Sequence, residues 1–389
     1  MDYSKESLKV HEENKGKIEV RSKIKVQNSD DLSVAYTPGV AEPCRKINQR
    51  KEDVYKYTSK GNLVAVVTDG TAVLGLGDIG PESAMPVMEG KSILFKIFAN
   101  VDAFPICLDT KDVDKIVETV KLISPTFGGI NLEDISAPRC VEIEKRLKKE
   151  LNIPVFHDDQ HGTAIVVSAG IINALKIVNK KIENVKIVIN GAGAAGSAIA
   201  KMLLSLGVKK LLVCDREGIL NKNNNKNWLQ EELANLTNKD NVEGTLKDAM
   251  VGADIFIGVS AGNIVNKEMV KSMNSDAIVF AMANPIPEIF PDEAKLAGAR
   301  IVGTGRSDYA NQINNVLAFP GLFRGALDAR ASEINDEMNI AAAYAIANMV
   351  KEFDLCEDFI IPNALNKEIA VEVAKAVEEA ARKTGVAQI

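Results

Sequence analysis

Two adjacent pairs of carboxylates, Glu133-Asp134 in INLEDI and Asp158-Asp159 in FHDDQHGTA, are the residues of this chain best suited to chemistry, and two of its three histidines, His157 and His161, flank the second pair. Acids gathered at one place repel one another and resist ionisation unless positive charge sits among them. A ligand set made only of oxygen suits a hard divalent cation such as Mg²⁺ or Mn²⁺ rather than zinc. Neither histidine belongs to an HExxH pattern, so both read as groups that orient their neighbours.

A second kind of chemistry is written in glycine. GAGAAG (Gly191, Ala192, Gly193, Ala194, Ala195, Gly196) follows the apolar run VKIVIN and opens an amphipathic segment, with Asp215 at the end of the next apolar run. This is the dinucleotide-binding arrangement: glycines let a pyrophosphate approach a helix N-terminus, and the acid accepts hydrogen bonds from the ribose hydroxyls. Asp215 favours NAD over NADP, because a 2′-phosphate would meet a carboxylate; Arg216 beside it acts in the opposite sense. A second match, GLGDIG (Gly75, Gly77, Gly80), runs into Pro81 and reads as a packed turn instead.

The elements that must position these residues follow from periodicity. The two β-rich runs of NLVAVVTDGTAVLGLG around Asp69-Gly70 predict a hairpin. Thereafter strands alternate with helices: AFPICLDT, DVDKIVETVKLI, FGGINLED, VEIEKRLKKEL and IPVFHDD, then VKIVIN, SAIAKMLLSLG, KLLVCD, DIFIGVS and DAIVFAMANP. Such alternation implies parallel sheets, because parallel neighbours need a crossover. Both acidic pairs then lie outside the carboxyl ends of strands, where open α/β sheets bind ligands. The polar tract NKNNNKNW reads as a solvated loop, Gly162 to Val178 as a buried helix, and Ile369, Val373 and Val377 mark a final amphipathic helix.

Composition narrows the function. A chain of 389 residues exceeds the roughly 250 at which a single core stops growing, so two domains are expected. Its net charge of −6, without a Lys/Arg-rich run, argues against nucleic acid. Cys44, Cys107, Cys140, Cys214 and Cys356 are scattered without CxxC spacing, which suggests neither zinc nor disulfides. A polar N-terminus and the lack of a span-length apolar run predict a cytoplasmic protein with no membrane partner.

Taken together, SVAYTPGVAEPC, VVTDGTAVLGLGDIG, MEGKSILFK, INLEDI, FHDDQHGTA, INGAGAAG, AMANPIPE and SDYANQINNVLAFPGLFRGALDARA resemble the malic enzymes in their short bacterial form, in the family's order and over nearly the whole chain. The resemblance implies oxidative decarboxylation of L-malate to pyruvate and CO₂ with NAD(P)⁺ and Mg²⁺ or Mn²⁺, by a homodimer. It carries the general base onto Lys91, the acid onto Tyr36, the metal ligands onto Glu133, Asp134 and Asp159, and a supporting role beside the base onto Asp158. Asn284 and Asn315, with Asn314 adjacent, fall at the amide contacts to substrate and nicotinamide. From the residues alone Lys91 is not singled out, and Lys96 is an equal candidate. Longer members of the family carry an arginine for the malate carboxylate where this chain has Ala72, which leaves that anion contact unassigned.

The expected architecture is an α/β malate and metal domain over residues 1–157 and a Rossmann-type, doubly wound NAD(P)-binding domain over 158–389, with helices from about 321 packing back. Two rivals are a malolactic-type enzyme, releasing lactate, and a catalytically silent nucleotide sensor.

Overall fold

The computed structural model describes residues 2–73 and 75–389. The first sixty residues form α1 (Tyr3–Asn14), α2 (Ser29–Ala35), α3 (Ala41–Gln49) and the single turn α4 (Val54–Tyr57); none of these helices has a buried residue. Apolar side chains of this stretch, Leu8, Val20, Leu32, Val34 and Tyr36 among them, face outward.

Next come β1 (Leu63–Thr68), α5 (Pro81–Ala99), β2 (Asp102–Cys107), α6 (Val113–Ile123), β3 (Gly129–Leu132), α7 (Arg139–Glu150) and β4 (Val155–His157). The four strands make a parallel sheet in the order β2-β1-β3-β4. Central strands of a parallel sheet are covered on both faces, which is why LVAVVT and GINL are almost uniformly apolar and buried.

The expected hairpin does not form. The residues after Thr68 are a loop tied into the protein, and Leu74 of that run lies outside the described residues. Asp69 Oδ1 accepts from the Thr71 amide and hydroxyl, and Arg139 donates to Asp69 Oδ2 (2.8 Å), Thr71 Oγ1 (2.9 Å) and Ser136 Oγ (3.0 Å). Gly70, at φ +69°, sits so close to the Gly80 carbonyl that a Cβ would be 2.2 Å away. The Asp-Gly pair was a turn signal, but both edges of β1 are taken by β2 and β3 and the Ala72 amide donates to the Asp134 carbonyl, so no ladder is open to a returning strand.

A long buried helix, α8 (Thr163–Ile177), leads to the second sheet: β5 (Lys186–Asn190), α9 (Ala194–Ser205), β6 (Lys210–Asp215), the short β7 (Gly218–Ile219), α10 (Trp228–Thr237), α11 (Leu246–Met250), β8 (Ile255–Gly258), α12 (Lys267–Lys271), β9 (Ala277–Ala281), α13 (Pro291–Leu296) and β10 (Ala299–Thr304). Its order is β10-β9-β8-β5-β6-β7, parallel except for β7. The sheet reverses direction of growth at β5, so it is doubly wound, with the glycine-rich turn at the switch point. The tract predicted as a solvated loop is more ordered than its composition suggests. Asn221 is buried and bonded to Asn224, and Asn227 caps α10.

The chain closes with α14 (Phe319–Asp328), α15 (Asp336–Asn348) and α16 (Glu368–Lys383). Ile369, Val373 and Val377 are buried as their spacing predicts, each worth roughly 2 kcal/mol of apolar burial. Phe319 and Phe323 of α14 stack edge-on against Phe95 of α5, so the C-terminal helices reach the first sheet's layer. All five cysteines are free. Among the described residues, no helix is long and apolar enough to cross a membrane.

Candidate active site

Both acidic pairs emerge where the periodicity puts them, at the carboxyl ends of the neighbouring strands β3 and β4. Glu133, Asp134 and Asp159 each offer an oxygen, and the three oxygens lie within 4.8 Å of one another. Asp134 adopts φ +52°, and its amide donates to Asp159 Oδ2 at 2.8 Å. Asn131 Nδ2 donates to Glu133 Oε2 at 2.8 Å, leaving the other oxygen for Lys91. Three carboxylates and no nitrogen or sulfur fit a hard divalent cation, and the partial exposure of Asp159 leaves a way in.

Lys91 faces this cluster because of its helix. In α5 the buried residues are Ala84, Met88, Lys91, Ser92, Phe95 and Ala99, a stripe of helical period on which the lysine occupies an apolar position. Its Nζ lies 2.6 Å from Asp158 Oδ2 and 2.8 Å from Glu133 Oε1, over the Phe319 ring at 4.2 Å from the centroid. Asn315 Nδ2 donates to the same oxygen of Asp158. Lys96 is off the stripe, half exposed, and bonded to Asn100 and Asp102, away from the carboxylate cluster.

The electrostatics of this group are tightly balanced. Burial pulls the Lys91 ammonium down, but the carboxylates of Asp158 and Glu133 outweigh it and hold the lysine above its ordinary value. Burial pushes the carboxyls up in spite of Lys91, Asp158 to about 7 and Asp159 to about 6, with Glu133 moved in the same direction. In this arrangement Lys91 holds its proton tightly. Positive charge brought among the acids would weaken that hold.

The histidines point elsewhere. His157 is wholly buried, and burial drives its imidazole down to about 4, so it is neutral. It approaches Asp159 at 3.8 Å, beyond hydrogen-bond range, while His161 bonds Glu144. Gly162, which ends the turn Asp158–Gly162, is pressed against Asp158: a Cβ there would stand 1.8 Å from Asp158 Oδ1.

A cleft of about 800 Å³ opens along the ends of β5, β6 and β8, lined by Gly191, Ala192, Gly193, Asp215, Arg216, Lys226 and Ser260 among others. Ala194, Ala195 and Gly196 form the first turn of α9, which has no side-chain cap, so its N–H groups are available to an anion. A Cβ at Gly196 would lie 1.7 Å from the Gly191 carbonyl, so the turn can close only with glycine there. Asp215 is already engaged: it accepts from the Glu217 amide and from Gln230, and Lys226 stands 3.6 Å away. Lys226, like Arg216, offsets the charge that was expected to repel a 2′-phosphate.

The remaining candidates divide. Asn284 sits at a cis bond to Pro285, its carbonyl against Gly75, which brings the GLGDIG loop beside the second sheet. Asn314 caps the turn that carries Asn315. Tyr36 is 68% exposed at the end of α2, and among the described residues nothing bonds its hydroxyl or links it to Lys91. Sequence reasoning missed Glu144 and Arg139. Glu144 carried a usable signal, a charge on the buried stripe Cys140, Ile143, Glu144, Leu147 of α7.

Comparison with known proteins adds to this geometry. Residues 14–148 match the malic enzyme N-terminal domain, and residues 160–382 match the malic enzyme NAD binding domain. The chain belongs to the malic enzyme family. It is 61% identical over 391 residues to the bifunctional malic/malolactic enzyme of Bacillus subtilis, covering 100% of this chain and 95% of that protein. It is also 61% identical over 374 residues to the NAD-dependent malic enzyme of Geobacillus stearothermophilus, covering 96% of this chain and 78% of that one. The malic enzyme structure from Pyrococcus horikoshii superposes with a TM-score of 0.95 at 50% identity, over 99% of this chain and 92% of that chain. NADP-dependent malic enzymes match as well. The family consists of NAD(P)-dependent oxidoreductases that decarboxylate malate, and the parallel sheets and doubly wound second sheet are its fold.

Proposed function

We propose how this chain carries out the reaction of its family, the oxidative decarboxylation of malate with reduction of NAD or NADP. The observation that carries the reading is the buried Lys91 held between Asp158 and Glu133 beside an oxygen-only triad. Glu133, Asp134 and Asp159 would hold Mg²⁺ or Mn²⁺. A bound cation supplies positive charge that offsets the carboxylates' grip on the Lys91 proton and polarises the oxygens of L-malate.

Lys91 then accepts the malate hydroxyl proton at Nζ as hydride leaves for the nicotinamide. Asp158, fixed by Asn315, aims the amine. After CO₂ departs, the enolate takes a proton at C3 from the Tyr36 hydroxyl and becomes pyruvate. Because Tyr36 is on the surface of the isolated chain, it reaches the substrate by rearrangement of its segment or from a second copy. The outward apolar side chains of the first sixty residues support a homodimer. Asn284, Asn314 and Asn315 supply amide contacts to substrate and nicotinamide. NAD is the favoured cofactor through Asp215, with Arg216 and Lys226 admitting NADP. We place the division between the substrate and nucleotide halves at about residue 157, and the protein in the cytoplasm, where free cysteines persist.

Rapid mixing with malate, Mn²⁺ and NAD⁺ tests the division of roles. Lys91→Ala should give no NADH at all. Tyr36→Phe should keep a first-turnover burst of NADH but fail in steady turnover. Equal loss of the burst in both refutes the assignment, and lactate as the sole product would favour the malolactic reading.

A further inference from the structure

The second histidine of FHDDQHGTA turns away from the carboxylates it follows. His161 Nε2 lies 2.9 Å from Glu144 Oε2, Gln160 Nε2 donates to the same oxygen at 3.3 Å, and Lys148 Nζ lies 3.0 Å from Glu144 Oε1. Glu144 is 4% exposed and Gln160 3%. A carboxylate removed from water in this way costs several kcal/mol unless it is well paired, so three partners on one group fix its place.

The position of that group in the chain matters more than its burial. Glu144 lies on α7, the helix that begins five residues after Asp134. Gln160 and His161 immediately follow Asp159 in the turn Asp158–Gly162, which has no side-chain cap of its own. Glu144 therefore bridges the two segments that supply the three carboxylates of the acidic cluster. The hydrogen bond from the Asp134 amide to Asp159 Oδ2 also joins them, but uses an oxygen of the cluster itself. On the side away from the cluster, Glu144 joins α7 to the turn through both Gln160 and His161.

We propose that Glu144 is a positioning residue for the metal site: through Gln160 and His161 it sets the turn that carries Asp159 against the helix that follows Glu133 and Asp134. The proposal rests on the reading of those three carboxylates as metal ligands. Glu144 touches neither substrate nor the ion; it governs the separation of the donors. Groups that hold metal ligands in place typically contribute about 10- to 100-fold to affinity.

The test is Mn²⁺ binding to the full chain without malate or nucleotide, read from the spin resonance of free Mn²⁺, with thermal melting alongside. Glu144→Leu should weaken Mn²⁺ binding about 10- to 100-fold. Glu144→Gln, which keeps an oxygen for His161 and Gln160, should stay close to wild type. Lys148→Met removes only the ion pair on the far oxygen, so Mn²⁺ affinity should hold even where melting temperature falls. If Glu144→Leu does not fold, His161→Leu cuts the same bridge from its partly exposed side and should weaken Mn²⁺ binding about tenfold. A folded Glu144→Leu or His161→Leu with wild-type affinity overturns the proposal, and so does a Lys148→Met that loses as much affinity as Glu144→Leu. Asp159→Ala separates this from the underlying reading. Unchanged affinity in that variant removes the ligand assignment itself, whereas lost affinity there beside an unaffected Glu144→Leu removes only the positioning role.

Discussion

Gly162→Ala should cripple catalysis through a single methyl group. The backbone there is ordinary helix, φ −60° and ψ −45°, so alanine fits the conformation and taken alone would stabilise by up to about 1 kcal/mol. The surroundings decide otherwise. A Cβ would stand 1.8 Å from Asp158 Oδ1 and 3.3 Å from the Asn315 Cβ, so the carboxylate must retreat by about an ångström. Asp158 Oδ2 is the oxygen that holds Lys91 at 2.6 Å and accepts from Asn315, and such a retreat loosens both bonds. Overpacking of this kind costs about 1–3 kcal/mol. Weakening a buried ion pair adds part of the roughly 3–5 kcal/mol that its complete loss would cost. The expected net destabilisation is about 2–4 kcal/mol after the helix gain is subtracted. An ångström of misplacement at the reacting centre corresponds to a loss of about 10²-fold in kcat. Steady-state NADH formation with saturating malate and Mn²⁺, together with a thermal melt, measures both effects. A variant with wild-type kcat and melting temperature would refute the argument that Gly162 makes room for Asp158.

Asp159→Ala removes one of three oxygen donors and should weaken Mn²⁺ binding by at least about 10²-fold while circular dichroism stays unchanged; calorimetric titration measures it. Asp215→Ser should move the ratio of kcat/KM towards NADP⁺, since Arg216 and Lys226 remain while the carboxylate goes; an unmoved ratio means that Asp215 does not select the cofactor. Mn²⁺ affinity should also depend on pH. Burial raises Asp158 to about 7 and Asp159 to about 6, so in cation-free protein these groups gain protons as pH falls through that range. A cation must displace such protons, so affinity should decline by up to about tenfold per pH unit for each proton released and level off above pH 8. The sign for stability is opposite. Carboxyls raised in the native state contribute stability that is complete below about pH 4, their unfolded value, and lost as pH rises through about 7. Added Mn²⁺ should therefore raise the melting temperature more at pH 8 than at pH 5.5, and an equal gain at both would contradict the raised carboxyls.

Much of the architecture was legible in the chain. Period-two and unbroken apolar runs located eight of the ten strands, with the two-residue β7 and the edge strand β10 unforeseen, because strand burial depends on side-chain type at fixed spacing. The carboxylate pairs were legible for the same reason: once β3 and β4 are strands, Glu133-Asp134 and Asp158-Asp159 must lie at their carboxyl ends. The hairpin at Asp69-Gly70 failed because local turn chemistry says nothing about β2 and β3, which come later in the chain and take both edges of β1.

Other features needed the third dimension. The residues alone did not separate Lys91 from Lys96; the fold buries Lys91 on the stripe of α5 and brings Asp158 and Glu133 to it from two other strand ends, and their combined field fixes its charge. The histidines illustrate the same limit. Two residues after a pair of aspartates, His161 turns to Glu144 on a different helix, because successive residues of a tight turn point in different directions. Sequence by itself determined the residue types, their order, and hence most of the strands, the glycine turn and the placing of two carboxylate pairs at neighbouring strand ends. Tertiary structure decided protonation, partner choice and which lysine is buried, since these depend on distances between segments far apart in the chain, and charge interactions fall off over a few ångströms.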